Sequence, residues 1–164
     1  MTTPTQPAPL KKRAVRFQRL EINTGTDEAP TWVPVRGLTT VELQISPEEV
    51  DVSDFDSDGW SDSLTTFRSW NVNIEGWEGF TGPDDEPVED PGQAALKAKG
   101  LSTGSDAYVN VRMYRTDNNK GYQGRASANW SGTGGGVKGV VPFNCPLTGS
   151  GALTPFTYTP PTTP

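Results

Sequence analysis

The sequence predicts a mainly β protein, a β-sandwich or half-barrel of about eight strands with one flanking α-helix and long loops. Three observations predict this fold. The chain has 164 residues, enough to bury a core within one domain. Its 18 Gly and 15 Pro residues divide it into short segments. Those segments are rich in Thr, Val, Trp and Tyr, which favour strands over helices.

Each predicted strand is bounded by clusters of Gly, Pro, Asn or Asp. The eight segments are 15–22, 31–36, 38–45, 65–76, 106–116, 120–130, 136–144 and 152–159. In 65–76 the side chains alternate, so one face suits a core and the other suits water. The apolar face there is Trp70, Val72 and Ile74, and the polar face is Ser69, Asn71, Asn73 and Glu75. The same alternation gives three further apolar faces: Val41, Leu43 and Ile45; Val109, Val111 and Met113; and Tyr122, Ala126, Ala128 and Trp130.

Local signals also predict one hairpin and one helix. The turn TDNNKG at 116–121 contains residues that tolerate positive φ, so residues 106–130 form a hairpin. The segment PGQAALKAK at 91–99 is a helix, with Asp90 as its N-cap and Pro91 at its first position. Gly100 is expected to end it.

Charge is segregated along the chain. Two long loops, 46–64 and 77–90, are strongly acidic, and residues 46–63 contain seven acids and no base. A flexible basic arm is expected at residues 1–14, with Lys11, Lys12 and Arg13 as its charged part. The arm is either a solvated tail or a partner for acidic loops on a neighbouring copy. The predicted organisation is therefore an arm at 1–14, one β domain at 15–159 and a flexible tail at 160–164.

Composition disfavours several functions. The net charge of −6 argues against a groove that grips nucleic acid. The chain has no histidine, which removes the commonest general base and most zinc sites. Its single cysteine, Cys145, is expected to be a packed small residue, because no base neighbours it in sequence. We expect no catalysis and no cofactor, and the sequence has neither an apolar leader nor a membrane-spanning stretch.

Residues 54–59 match the opening of a calcium loop, D-x-D-x-D-G, which would make Asp54, Asp56, Asp58 and Asp62 a weak metal candidate. The twelfth position is Thr65, where a bidentate Glu is expected. An acidic turn before a strand is therefore favoured. Residues 132–139, GTGGGVKG, lack the spacing of a phosphate-binding loop and predict a flexible linker.

The five tryptophans divide into two groups. Trp70 and Trp130 share the apolar faces of their strands, which favours core packing. Trp32, Trp60 and Trp77 border loops, where packing competes with an interface role such as sugar stacking.

Residues 32–76, WVPVRGLTTVELQISPEEVDVSDFDSDGWSDSLTTFRSWNVNIEG, resemble the major tail tube proteins of long-tailed, siphovirus-like bacteriophages. The shared features are a short strand pair, an acidic loop ending in a D-G-W-like turn, and a Trp-bearing strand ending in E-G. The helix, the hairpin at 106–130 and the NWSGTGG segment follow in the same order. The resemblance covers the chain from about residue 15 onward.

This resemblance implies a non-enzymatic structural subunit of the virion tail, assembled in the host bacterial cytoplasm. Its subunits would self-assemble into stacked hexameric rings, the conduit for ejection of double-stranded DNA. Its other partners would be the terminator, tape measure and distal tail proteins, with no membrane contact. The residues expected to face the lumen are Glu42, Gln44, Asn71, Asn73 and Glu75. The residues expected at contacts between subunits are Lys11, Lys12, Arg13, Asp54, Asp56, Asp58, Trp60, Trp77, Asp84 and Asp85.

Three alternatives stay open at the level of sequence. One is a non-catalytic β-sandwich that binds a carbohydrate or receptor through its tryptophans. Another is a calcium-stabilised adhesion domain built on residues 54–62. The third is a secretion-tube or head decoration protein, which would share much of the fold.

Overall fold

The computed structural model describes residues 10–132 and 134–161. The expected leader at 1–9 and the last three residues of the expected tail lie outside this part of the chain. The described residues form one α-helix, α1, at Pro91–Leu101. Their strands are β1 (Gln18–Asn23), β2 (Trp32–Pro34), β3 (Leu38–Asp51), β4 (Ser63–Trp77), β5 (Phe80–Thr81), β6 (Val88–Glu89), β7 (Tyr108–Arg115), β8 (Lys120–Ala128), β9 (Pro142–Asn144) and β10 (Leu147–Thr157).

Eight of these strands form one antiparallel sheet, which confirms the predicted mainly β fold with one flanking helix. The order is β2-β1-β7-β8-β10-β4-β3, and β9 pairs with the end of β4. β5 and β6 form a separate small hairpin. The large sheet is rolled, because β1 contacts β3 although they lie near opposite ends of the order.

The core fills the inside of this rolled sheet. The predicted apolar faces of β4 and β7 are buried throughout, and Val41, Leu43, Ala128 and Trp130 pack against the core from its edge. Ile45 and Tyr122 differ from the prediction, since they are 48% and 41% exposed. Ile45 pairs with Trp70, beyond which β3 and β4 are exposed on both faces, and Tyr122 lies near the start of β8.

Trp70 is the largest side chain of the core and lies flat against two glycines. A Cβ atom at Gly149 or Gly124 would overlap its indole ring. The indole Nε1 donates a hydrogen bond of 3.0 Å to the Gly151 carbonyl, where β10 shifts its register against β8. Gly151 has a φ of 81°, so this irregularity requires glycine. The indole ring of Trp70 thereby holds β4, β8 and β10 together at the point where they meet.

The helix begins as the sequence predicts. The Asp90 carboxylate accepts a hydrogen bond of 3.1 Å from the Gln93 backbone, and Pro91 occupies the first turn. The predicted stop at Gly100 is wrong, because the helix includes Gly100 and ends with Ser102 as its C-cap. Gly100 instead allows the helix to pack closely on the sheet, since an added Cβ would lie 3.1 Å from the Trp130 Cβ.

The buried side chain of Gln93 joins the helix to the sheet. Its Nε2 donates to the carbonyls of Arg36 and Trp77 at 2.8 and 3.0 Å, and its Oε1 accepts from the Gly79 amide at 3.2 Å. Replacing Gln93 by Leu should lower the free energy of unfolding by about 2 kcal/mol, because it leaves part-buried backbone groups without their side-chain partner. Urea denaturation measures this, with Gln44→Leu, the same change at an exposed site, as the control. Equal effects of the two substitutions would contradict the proposed role.

The predicted loop at 46–64 is wrong at both of its ends. β3 continues to Asp51 and β4 begins at Ser63, so only residues 52–62 remain outside the strands. This extension is exposed on both faces, so no burial pattern marks it in the sequence. Pro47 is tolerated because β3 lies at the sheet edge, where one row of backbone groups needs no partner within the subunit.

Other predicted bounds also differ from the structure. The strand expected at 136–144 is reduced to β9, because the Gly-rich residues before it are exposed. Residues 15–17 form a 3₁₀ turn before β1, and the last strand begins five residues earlier than predicted, at Leu147. The acidic loop at 77–90 is wrong in part, since it contains the β5–β6 hairpin and the last residue of β4.

Candidate assembly surfaces

The outer face of β3, β4 and β10 is polar and contains no Lys or Arg. Strand register places Gln44, Asn71 and Thr148 side by side across three strands. Glu42 is paired with Asn73, and Thr40 with Glu75. All five residues that we expected to face a lumen therefore share one surface, which we call the polar face and which consists of residues 40, 42, 44, 71, 73, 75, 148 and 150.

Within the polar face, Glu75 is less free than its neighbours. Its carboxylate accepts hydrogen bonds from Thr40 at 3.2 Å and from Asn73 and Asn144 at 3.4 Å. Glu42 and Gln44 are exposed, while Asn71 and Asn73 are half-buried. Glu42 and Gln44 are thus the most accessible groups of this face.

Thr148 and Ser150 also belong to the polar face, although sequence reasoning missed them. The sequence predicts that the last strand begins at residue 152, which places these residues in the preceding loop. The available signal was the apolar Leu147 immediately before them, which is fully buried. Its burial places Thr148 on the opposite, outer face.

The outer face of β1, β7 and β8 is different, because it carries a cluster of charged and aromatic side chains. The Arg112 guanidinium lies 2.5 Å from a Glu21 carboxylate oxygen and 4.4 Å from the centre of the Trp32 ring. Tyr114 donates a hydrogen bond of 2.9 Å to the same carboxylate and stacks on Tyr158 at 4.1 Å. Burial, together with this hydrogen bond, raises the pKa of Tyr114. Through Tyr158, the cluster holds the segment after β10 against the sheet. Trp32 packs against Arg112 within this cluster, so it has a packing role.

The extended ends of β3 and β4 form an exposed hairpin, residues 45–68, which we call the β3–β4 hairpin. Its apolar side chains are left open to solvent, with Phe55, Trp60 and Phe67 at 106%, 82% and 71% exposure. A monomer gains nothing from large apolar side chains in such positions, and contiguous exposed patches mark interaction surfaces. The structure therefore brings Asp54, Asp56, Asp58 and Trp60 together at one projecting tip.

The acidic turn of this tip is organised by its own hydrogen bonds. The Asp54 carboxylate accepts from the Asp56 backbone at 3.0 Å and from the Ser57 hydroxyl at 3.1 Å. Asp58 adopts a left-handed conformation with a φ of 48°. In the described part of the chain, no group of three or more His, Cys, Asp or Glu residues is placed to hold a metal ion. The four acids of the calcium candidate thus do not converge.

The remaining expected contact residues lie at three places. Lys11, Lys12 and Arg13 are exposed and lie outside any helix or strand, just before the first 3₁₀ turn. Trp77 ends β4 and is 48% exposed, while its backbone bonds to Gly37. Asp84 and Asp85 lie in the exposed turn of the β5–β6 hairpin. The two acidic tips follow from opposite ends of the fifteen-residue β4, so they lie apart within one subunit.

Cys145 and the two tryptophans expected in the core are packed in or against it. Cys145 is fully buried, and burial raises the pKa of its thiol to about 12 despite an opposing effect of the Asn129 backbone amide. The thiol is therefore neutral at physiological pH and behaves as a small packed side chain, as predicted. Trp70 and Trp130 are packed in or against the core, and Trp130 stacks on Phe143 at 4.5 Å. The one α-helix in the described residues is too short and polar to span a bilayer.

A rolled antiparallel sheet with an open edge strand, a polar outer face and a projecting apolar hairpin is typical of a structural protein that associates with other chains. The chain belongs to the phage tail tube protein family, whose model matches residues 19–155. It is thus a structural, non-enzymatic component of a phage-type tail, as the resemblance in residues 32–76 implied.

Two solved structures show the same fold. One is a chain from the tail of an empty gene transfer agent particle, determined by helical refinement with C6 symmetry. It is 16% identical, with a TM-score of 0.66, and the match covers 87% of this chain and 98% of that one. The other is a chain from the virion of a native gene transfer agent particle, 17% identical with a TM-score of 0.62, covering 89% and 100%. No curated protein matches the chain significantly.

Proposed function

We propose that this chain self-assembles into hexameric rings, which stack into a tube through which double-stranded DNA leaves the virion. Membership of the tail tube family carries the proposal. The sixfold symmetry of the gene transfer agent tail with the same fold supports six subunits per ring. The tail terminator, tape measure and distal tail proteins would be its partners, and assembly would take place in the host cytoplasm before the virion is complete.

The open edge of the sheet supports ring formation. β3 pairs only with β4 among the described strands, so fourteen residues present one unpaired row of backbone groups. Such an edge promotes association unless another strand covers it. In a ring, each β3 would pair with a strand of the next subunit, and closure would leave no free edge.

The charge of the polar face supports our proposal that it lines the lumen. A DNA conduit needs a wall that does not hold phosphates, because each Lys or Arg contact with a phosphate strengthens binding by releasing counterions. The polar face contains Glu42 and Glu75 and no basic residue, whereas the outer face of β7 and β8 contains Arg112 and Arg125. The face made by β3, β4 and β10 is therefore the better lining for the channel.

Electron microscopy of the purified chain tests this function directly. We expect size-exclusion chromatography to show oligomers and negative staining to show rings or tubes with a central channel and sixfold averages. The control is the same protein with β3 blocked by Ile45→Pro at a half-exposed position, which should remain monomeric because the edge loses a donor. A wild-type chain that stays monomeric at every protein and salt concentration would contradict the proposal.

A further inference from the structure

A second surface lies at the end of the sheet where β7 turns into β8. There a groove of about 610 Å³ opens to solvent. Tyr122, Pro155 and Phe156 form its apolar floor, and Arg13, Arg115 and Lys120 line its rim. We call it the basic groove. Its volume is in the range of pockets that bind small molecules, so it can hold an aromatic side chain together with its neighbours.

The positive charge of the basic groove is largely unneutralised. Arg115 is paired with Asp117 at 2.8 Å. Among the described residues, Arg13 and Lys120 have no acidic partner within ion-pair distance. Arg13 also lies close enough to Asp117 to lower the pKa of that carboxyl. Three cations and this one acid leave the groove with a net charge of +2 around a partly exposed apolar floor, on a protein whose net charge is −6.

The tip of the β3–β4 hairpin has the complementary chemistry. Phe55 and Trp60 are the two most exposed aromatic side chains in the described part of the chain. Between Ser46 and Ser63 they are surrounded by seven acids and no base. An acidic tip with exposed aromatic rings matches a basic rim with an apolar floor in both charge and polarity.

Strand order places the tip and the groove at the same end of the sheet. β10 pairs with β4 at Leu147 and Thr148 and runs antiparallel to it, so it proceeds toward the end where the hairpin projects. The last residue of β10, Thr157, pairs with Lys120 at the groove. Barrel strands tilt by about 35–45° from the barrel axis, so the two ends of the sheet correspond to the two rims of a ring.

We infer that the hairpin tip of one subunit docks into the basic groove of the next subunit in the same ring. This inference rests on the proposed ring assembly. Rotation about the ring axis keeps all hairpins and grooves at one rim, so neighbours within a ring can engage one another. A second ring, stacked on this one in the same orientation, faces the hairpins with its opposite rim, which does not carry the basic groove. The hairpin therefore closes rings, and other surfaces stack them.

Charge exchange between the two surfaces tests this docking. The hairpin variant is Asp56→Lys with Asp62→Lys, since neither carboxylate accepts a hydrogen bond in the described structure. The groove variant is Arg13→Glu with Lys120→Glu. Each variant alone should lose ring formation by about tenfold or more and remain monomeric, because like charges meet. The chain that carries all four substitutions, and an equal mixture of the two variants, should form rings again.

The matched control reverses the same number of charges on the other acidic tip, with Asp84→Lys and Asp85→Lys. The groove variant should not rescue any defect of this control. Isolated but unstacked rings from the hairpin variant would overturn the inference, and so would a failure of the four-substitution chain to recover. A wild-type protein that forms no rings would instead contradict the proposed function, so the two failures are distinguishable.

Cross-linking gives a second measurement that does not depend on charge reversal. Cys145 is fully buried, so an engineered surface cysteine is the accessible thiol of each variant. Rings formed from a mixture of Ser61→Cys and Thr157→Cys subunits should yield cross-linked dimers with a short bismaleimide, because these exposed positions flank the docking residues without replacing them. Each variant assembled alone should yield much less dimer. Equal dimer yields from the mixture and the single variants would overturn the docking.

Discussion

Replacing Gly149 by Ala is expected to lower the free energy of unfolding by about 3 kcal/mol, the upper range for overpacking a core. A Cβ atom at this position would lie 2.5 Å from the Trp70 Nε1 and closer still to two ring carbons. The ring cannot move away easily, because it is 5% exposed and its Nε1 is held by the Gly151 carbonyl. Gly149 does not have a positive φ, so the effect is steric and does not come from backbone strain.

A double-mutant cycle with Trp70→Phe separates this clash from other effects. The smaller ring should reduce the cost of Gly149→Ala by about 1 kcal/mol or more, although Trp70→Phe alone is destabilising. Gly79→Ala is the matched control, because no atom lies within 4 Å of its Cβ position and it has no positive φ. It should change stability by less than about 0.5 kcal/mol. Additive effects of the Gly149 and Trp70 substitutions in denaturant unfolding would contradict the packing described here.

The parts of the fold that burial dictates could be predicted from the sequence. In β4 the alternation of Trp70, Val72 and Ile74 with polar residues is what a half-buried strand requires, and the structure confirms it. The Asp90 cap was also predictable, since one carboxylate satisfies a helix N-terminus locally. The hairpin extension was not predictable, because a strand exposed on both faces has no reason to alternate. Its acids and Pro47 are typical of a loop.

The polar face could be predicted in part, and the basic groove could not. Asn71, Asn73 and Glu75 occupy alternate positions in β4. Glu42 and Gln44 do so in the neighbouring strand β3, so two periodic segments define most of the face. The basic groove joins Arg13, Lys120 and Phe156, which are far apart in sequence and meet only because β8 pairs with β10 and β1 pairs with β7. No local pattern marks such a site. Its only signal was the presence of a basic arm on an acidic protein.

Introducing lysines on the polar face is expected to slow genome delivery by about tenfold or more while leaving tubes assembled. The variant that the structure favours is Glu42→Lys, Gln44→Lys and Asn71→Lys. Glu75 is left intact, because its carboxylate accepts hydrogen bonds from three side chains and its loss would disturb the sheet. In a ring, every subunit would add three cations to the wall, and each cation that meets a phosphate strengthens the hold on DNA.

The measurement is the rate of DNA release from particles whose tails carry the variant, compared at low and high salt. Attraction to phosphates weakens as salt rises, so high salt should restore much of the lost rate. The neutral control, Glu42→Gln with Asn71→Gln, keeps similar side-chain size without adding positive charge and should release DNA at the wild-type rate. If the lysine variant forms normal tails and releases DNA at the wild-type rate at low salt, these residues do not face the channel. The wall would then have to be sought on the outer face of β7 and β8, where Arg112 is paired with Glu21 and Arg125 lies over Tyr108.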